Sequence, residues 1–395
     1  MSLLRQTAAA LVFGLSLAVF AAPYTPRGDA EIVERLPASA SDPSIRRVDS
    51  LRKQLAARPD DVGLRLEIAR RYFEMAMAQG DPRYVGYASA AIGPLAQSAS
   101  ANADYWSVRG MIEQYSHDFT GALRSLAKAQ ELNPKAPEPI AWQAAIYMVQ
   151  ARYAEALSEC TRLVPLAHPL FAQGCTAYVE ASTGHLAEAY RGLQKELADA
   201  GAVAPELVLW IRTRLAEMAI RLQRMDEAQA HFNEALKQGV TDQFLLGAYS
   251  DFLLLQQRPA EVMKLLADWE RSDILLLRLA LAGKAANDPR AAGWADQLRD
   301  RFAAAVLRGD RLHEQEAARF ELDVEGHPDK ALQLASQNYQ AQKEARDAEI
   351  LLRAALAARQ PKAAQPALDW LRTSGYEDPA LAKLADQLAG QGATR

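Results

Sequence analysis

Residues 106–134 read WSVRGMIEQYSHDFTGALRSLAKAQELNP, and the pattern returns 34 positions later. Trp106, Gly110, Phe119, Ala122, Leu126 and Ala129 are matched by Ile140, Ala144, Tyr153, Ala156, Cys160 and Leu163. Apolar residues recur at spacings of three and four, as in Leu64, Ile68, Tyr72 and Met75 or Leu207, Ile211, Leu215, Met218 and Leu222, which marks amphipathic helices. Short turns rich in Gly, Pro, Asn and Asp separate them, and no segment shows the alternation of a strand. One small or compact residue in each second helix can be followed as Ala88, Ala122, Ala156, Ala189, Ala228, Val262, Ala292, Ala331 and Ala364. Such a residue lets one helix lie close against its neighbour, while a bulky side chain four positions on, such as Leu126, Phe232 or Leu266, fills the adjacent hole. The expected fold is all-α, a superhelical solenoid of about nine antiparallel helix pairs.

With these residues, the chain resembles the tetratricopeptide repeat family from about residue 60 to 390. Trp106 and Gly110 stand where the family has its opening tryptophan and glycine, whereas Arg109 replaces the usual leucine and Glu113 the usual tyrosine. After Trp294 the first-helix aromatic is lost and the units become divergent hairpins. The resemblance implies a concave face, lined by first helices, that binds an extended peptide or a partner helix. Its candidate residues here are Tyr105, Met111, Trp142, Met148, Tyr178, Trp210, Arg214 and Glu217. The first helices offer no matching Lys and Asn set of the kind with which some members grip acidic carboxyl termini. The resemblance also implies a non-catalytic scaffold or adaptor with a protein partner and no nucleic acid. The competing expectations are an accessory subunit of an envelope enzyme or secretion complex, or an enzyme with a small-molecule site inside the superhelix.

The amino end reads differently. Arg5 precedes an apolar run from Thr7 to Phe20, and Val19-Phe20-Ala21 suits cleavage after Ala21, or after Ala22 as an alternative. Residues 1–21 are therefore expected to be a signal peptide and the protein to be exported, periplasmic in a Gram-negative cell. A proline- and serine-rich lead-in, 22–42, precedes a capping helix at 43–59, well-matched units at 60–270 and divergent hairpins at 271–395. Beyond the signal segment no apolar run reaches the roughly 18 residues of a membrane span. A net charge of −4 in 395 residues argues against a polyanion binder.

Chemistry is sparse, with no Gly-rich phosphate loop, no nucleophile elbow and no HExxH motif, so no catalytic residue, metal or cofactor is expected. His117, His185 and His327 fall in turns, two or more repeats apart, and read as solvated. Cys160 and Cys175 flank a proline-bounded turn, Val164 to Pro169, between two helices that should pack antiparallel. That places the thiols within about one helical turn of each other, a geometry that suits a disulfide. Two buried small apolar side chains are the alternative.

Overall fold

Each repeat folds as a helical hairpin. The computed structural model describes residues 43–307, 309 and 312–393, so the expected signal peptide (1–21) and lead-in (22–42) lie outside the described residues. Helix α1 (Pro43–Ala57) precedes α2 (Val62–Gln79) and α3 (Arg83–Ile92), α4 (Ala103–Tyr115) and α5 (Phe119–Leu132), and α6 (Pro137–Val149) and α7 (Tyr153–Leu163). The series continues with α8 (Pro169–Ala181) and α9 (Leu186–Asp199), α10 (Pro205–Arg221) and α11 (Met225–Leu236), and α12 (Gln243–Leu255) and α13 (Pro259–Leu265). It ends with α14 (Asp273–Ala286) and α15 (Ala291–Leu307), α16 (Glu314–Phe320) and α17 (Pro328–Asn338), α18 (Ala345–Ala357) and α19 (Gln365–Ser374), and the closing helix α20 (Pro379–Ala393). The described residues thus form an all-α solenoid of antiparallel pairs with tetratricopeptide-like spacing.

The turn inside each pair is built the same way. One residue there adopts the left-handed conformation: Gly80, His117, Ala151, Gly184, Gln223, Gln257, Asn287, Gly326 and Arg359. The next amide reaches back to a carbonyl in the last helical turn, as Arg152 N does to Tyr147 O at 2.8 Å and Arg224 N to Ala219 O at 2.8 Å, which satisfies carbonyls the helix end leaves unpaired. Side-chain caps start several helices, with Asn102 accepting from Tyr105 N at 3.1 Å and Asp118 from Gly121 N at 2.9 Å.

Within the pairs the small residues do what their spacing predicts. Ala88, Ala122, Ala156, Ala228, Val262, Ala331 and Ala364 are wholly buried, and Ala189 nearly so. Gly110 is pressed so close to its partner helix that a Cβ would lie 2.7 Å from Leu126 Cγ. One expected anchor is displaced: Ala292 is exposed, and Trp294 turns inward against Gly283, where a Cβ would stand 2.8 Å from the indole. In that pair the small residue has moved to the first helix and the large one to the second, which preserves the close approach with the roles exchanged. The Arg109 and Glu113 departures offset each other, because the two side chains pair at 2.7 Å and Ser125 Oγ donates to the same carboxylate at 2.6 Å.

Cys160 and Cys175 are joined in a disulfide that ties α7 to α8 across 15 residues of chain. Closing a loop of that length is expected to contribute about 3 kcal/mol, mainly by restricting the unfolded chain. Reduction, or Cys160→Ser with Cys175→Ser, should lower the urea midpoint accordingly. An unchanged midpoint would mean that the turn already holds these helices together.

Successive hairpins do more than touch their neighbours. The superhelix overlaps itself, so that turns within the early pairs meet connections between the late ones. Lys343 N donates to Val149 O at 2.7 Å, Gln342 Nε2 lies 3.3 Å from His117 Nδ1, and Ala341 packs on the Phe119, Leu126 and Ile146 cluster. Further along, Leu186 N donates to the Glu377 carboxylate at 2.7 Å, and Trp370 Nε1 donates to Tyr153 Oη at 2.9 Å. Arg221 bonds Ala181 O and Glu377 O and lies 3.7 Å from the centre of the Tyr376 ring. Gly80 packs against Gln243 and Ser272, at the starts of α12 and α14, with no room for a Cβ. His117 is therefore half-buried, stacked on Phe119 and partnered by Gln342, where its place in a turn predicts a solvated side chain; burial lowers its pKa. His185 is exposed, and His327 sits 2.9 Å from Glu321.

Candidate functional site

The overlap turns the first-helix faces inward toward one another, and their side chains there are charged. Asp251 on α12 accepts from Arg278 on α14 at 2.7 Å and from Arg319 on α16 at 2.8 Å, joining three consecutive first helices. Arg319 also lies 3.7 Å from Asp323, in the π-helical turn that extends α16 over Glu321–Glu325, and Asp323 in turn pairs with Arg353 of α18 at 2.6 Å. On the neighbouring side Arg214 pairs with Glu217 at 3.0 Å and stands 4.9 Å from the centre of the Tyr178 ring. At the start of α18, Glu344 pairs with Arg346 at 2.9 Å, and the charge of Arg214 reaches it. Glu344 also caps its own helix reciprocally with Asp347, and Asn338 donates to Asp347 at 2.8 Å.

Electrostatics follow from this crowding. Burial pushes the Asp251 carboxyl upward, but Arg278 and Arg319 overcome it and hold the group down to about 2. Burial likewise opposes ionisation of Glu344, and Arg346, Arg214 and Tyr178 lower its pKa nonetheless. Asp347, sealed away and next to Glu344, is shifted the other way, first by burial and then by the like charge. Arg346, Glu349 and Asp251 lie deep in the molecule yet stay wet, keeping 50%, 49% and 35% of their side-chain surface accessible, and Glu217 beside Arg214 keeps 38%. The arrangement is a solvated charged lumen. Among the described residues no group of three or more His, Cys, Asp or Glu side chains is placed to hold a metal ion.

The structure separates the eight residues picked out from the sequence. Tyr105, Met111 and Met148 are buried in the core between paired helices. Trp142 is half-buried, edge-on to Phe73 at 5.6 Å, and Trp210 packs on Phe171 at 5.4 Å with its ring filling the space over Gly174. Tyr178, Arg214 and Glu217 stay together as one polar cluster, the guanidinium lying between the ring and the carboxylate. Asp251, Arg278, Arg319, Glu344 and Arg346 line the lumen and were not picked out. Arg278 carried a signal, being a lone charge in the apolar run Ile274 to Leu281.

A second buried polar network sits on α9, α10 and α11. Arg212 is an obligate donor, and its Nη1 lies 3.1 Å from His231 Nδ1. The ring proton must therefore be on Nε2, 3.0 Å from Tyr190 Oη, which itself donates to Glu227 at 2.7 Å. Burial and then Arg212 lower the His231 pKa to about 4. The folded state refuses a proton that the unfolded chain accepts near pH 6.5, so stability falls as pH drops from about 6.5 toward 4, by about 3 kcal/mol. His231→Gln should flatten that part of the profile when urea midpoints at pH 7 and pH 4.5 are compared. An equal drop in both proteins would remove His231 as the cause.

Fold and lumen together define an all-α, tetratricopeptide-like solenoid with a charged interior. No protein-family model matches the chain, and no curated protein matches it in sequence. Among solved structures, the human IFIT1 dimer with m7Gppp-AAAA is similar at 13% identity, covering 89% of this chain and 86% of that one with a TM-score of 0.45. The APC/C hetero-tetramer Cut9-Hcn1 matches at 15% identity over 79% of this chain, with a TM-score of 0.39, and the match covers 52% of that chain. The TPR domain of P58(IPK) matches at 13% identity, covering 83% of this chain and 98% of that one, with a TM-score of 0.23.

Proposed function

We propose that this protein is a non-catalytic scaffold of the cell envelope that holds a protein partner, a peptide or helix, against the inner face of its superhelix. The observation that carries the reading is the lumen, where Arg346 and Glu349 remain accessible although protein surrounds them. Deep, wet and charged surface of this kind is suited to a polar segment recognised by ion pairs and hydrogen bonds. Several of its carboxylates are countercharged, as Asp251 is by two arginines, which suits recognition of a charged segment. No described helix is long and apolar enough to cross a membrane. Export is part of the proposal and rests on the sequence of residues 1–21.

The test places a photo-crosslinking residue at Glu217 or Arg346 in the native envelope, with Lys128, on an outward face of α5, as the control. The expected result is a protein adduct from the two inner positions and none from Lys128. Adducts from Lys128 alone would move the partner to the outer surface. Amino-terminal sequencing of the same preparation should return Ala22 or Pro23, whereas Met1 or Ser2 would overturn export.

A further inference from the structure

The last five helices differ from the rest in how they are held. Leu332, Tyr339, Ile350, Leu351, Trp370 and Leu388 belong to an apolar core of α16–α20 itself, to which the earlier pairs add only the edge of Ala151. Attachment to the preceding pair is mixed: Arg319 to Asp251, Arg299 to Glu325 at 2.9 Å, and Lys284 Nζ to the carbonyls of Asp323 and Val324 at 2.7 and 2.9 Å are polar, while Phe320, against Phe302, and Val324 reach into the core of the preceding pairs. Attachment to the early pairs is by a few polar contacts: one bond at Lys343, two at Glu377, one from Trp370 of α19 to Tyr153, and Arg221 on Tyr376. Gly184 and Gly375, both left-handed, pass so close that a Cβ on Gly184 would lie 3.4 Å from Gly375 O. A body that keeps most of its core to itself and shares only a narrow apolar contact separates at lower free energy than one whose core is wholly shared. It is also the body that brings the Glu344–Arg346 pair within reach of the charge of Arg214.

We propose that α16–α20 are a hinged cover, closed in this structure, whose α17–α18 and α19–α20 connections are latched to the turns of the early pairs at the edge of their inner face, and which must swing away as one body before that face is fully open to a partner. The link to binding rests on the scaffold reading, while the motion stands by itself. A cover of this kind makes the protein self-occluding, because the latches from Lys343 to Val149 and from Glu377 to Leu186 hold its charged side, with Glu344 paired to Arg346, over the early pairs. Opening exchanges intramolecular ion pairs for solvent, so salt should favour it.

Amide hydrogen exchange on the full chain tests the motion without any partner. The Lys343 and Leu186 amides report the two connections, and the Leu215 amide in α10 reports the core. The expected result is one shared opening constant for Lys343 and Leu186, at least about a hundredfold above that of Leu215. Arg221→Ala should raise both by about tenfold and leave Leu215 unchanged. Should that variant fail to fold, Glu377→Ala read at Lys343 makes the same test, with the same rise expected. Exchange of Lys343 and Leu186 only at the Leu215 rate would overturn the cover, and so would a variant that shifts one connection without the other. Crosslinking from Glu217 that fails while the shared opening is observed would sink the scaffold reading and leave the cover standing.

Discussion

Asp251→Ala is expected to lower unfolding free energy by about 2 to 3 kcal/mol, less than the roughly 3 to 5 of a fully buried ion pair because water screens the carboxylate side. Two guanidinium groups depend on this carboxylate, and one of them, Arg278, keeps only 6% of its side-chain surface accessible. Without Asp251, Arg278 Nη1 retains the carbonyl of Ile274 at 2.9 Å but loses its countercharge. Asp251→Asn should fall between wild type and alanine, since the amide keeps an acceptor and gives up the charge. Urea denaturation at pH 7 measures all three proteins. A loss below about 1 kcal/mol for alanine would place the pair among solvent-screened surface bridges and make the lumen wetter than its geometry indicates.

Ala122→Arg should be more damaging still, costing more than about 4 kcal/mol, because it combines overpacking with a charge that has no partner. Ala122 is wholly buried, and the adjoining space is already taken by Leu126 packed on Gly110. The comparison is Lys128→Ala on the same helix, which breaks only an exposed pair with Glu131 and should stay within about 0.5 kcal/mol. Similar small losses in both variants would mean that α4 and α5 do not pack through Ala122.

The hairpins are legible in the sequence because their cause is local and repeated. Ala122 and Ala156 answer the same steric demand 34 residues apart, so the demand writes itself into the chain more than once. Where the demand is met differently, as in the exchange of Gly283 and Trp294, the spacing points to Ala292, which is exposed. The lumen is legible only in part. Tyr178, Arg214 and Glu217 can be placed from their position on first helices, but the Glu344–Arg346 pair comes within reach of Arg214 from a connection more than 120 residues away. Contacts such as Lys343 to Val149 or Glu377 to Leu186 are made once each, by residue types common in any turn, and leave no periodic trace. Of the aromatics expected in the groove, Tyr105 and Trp142 pack on apolar neighbours instead, which is the more frequent fate of a large ring at helical spacing.

An open solenoid is indifferent to its own length, since a unit gained or lost by duplication or deletion costs one more or one fewer interface of the same kind. The overlap between early and late pairs removes that indifference. The turn after α6 must arrive opposite Lys343 and the turn after α8 opposite Glu377, so a whole unit inserted anywhere between these points would carry every later partner out of reach. Units in the interior have become individuals, each tied to a particular counterpart in the next coil. Growth or shrinkage by whole repeats is then confined to the two ends of the chain, and the number of hairpins between Val149 and Lys343 is held by the same bonds that close the coil.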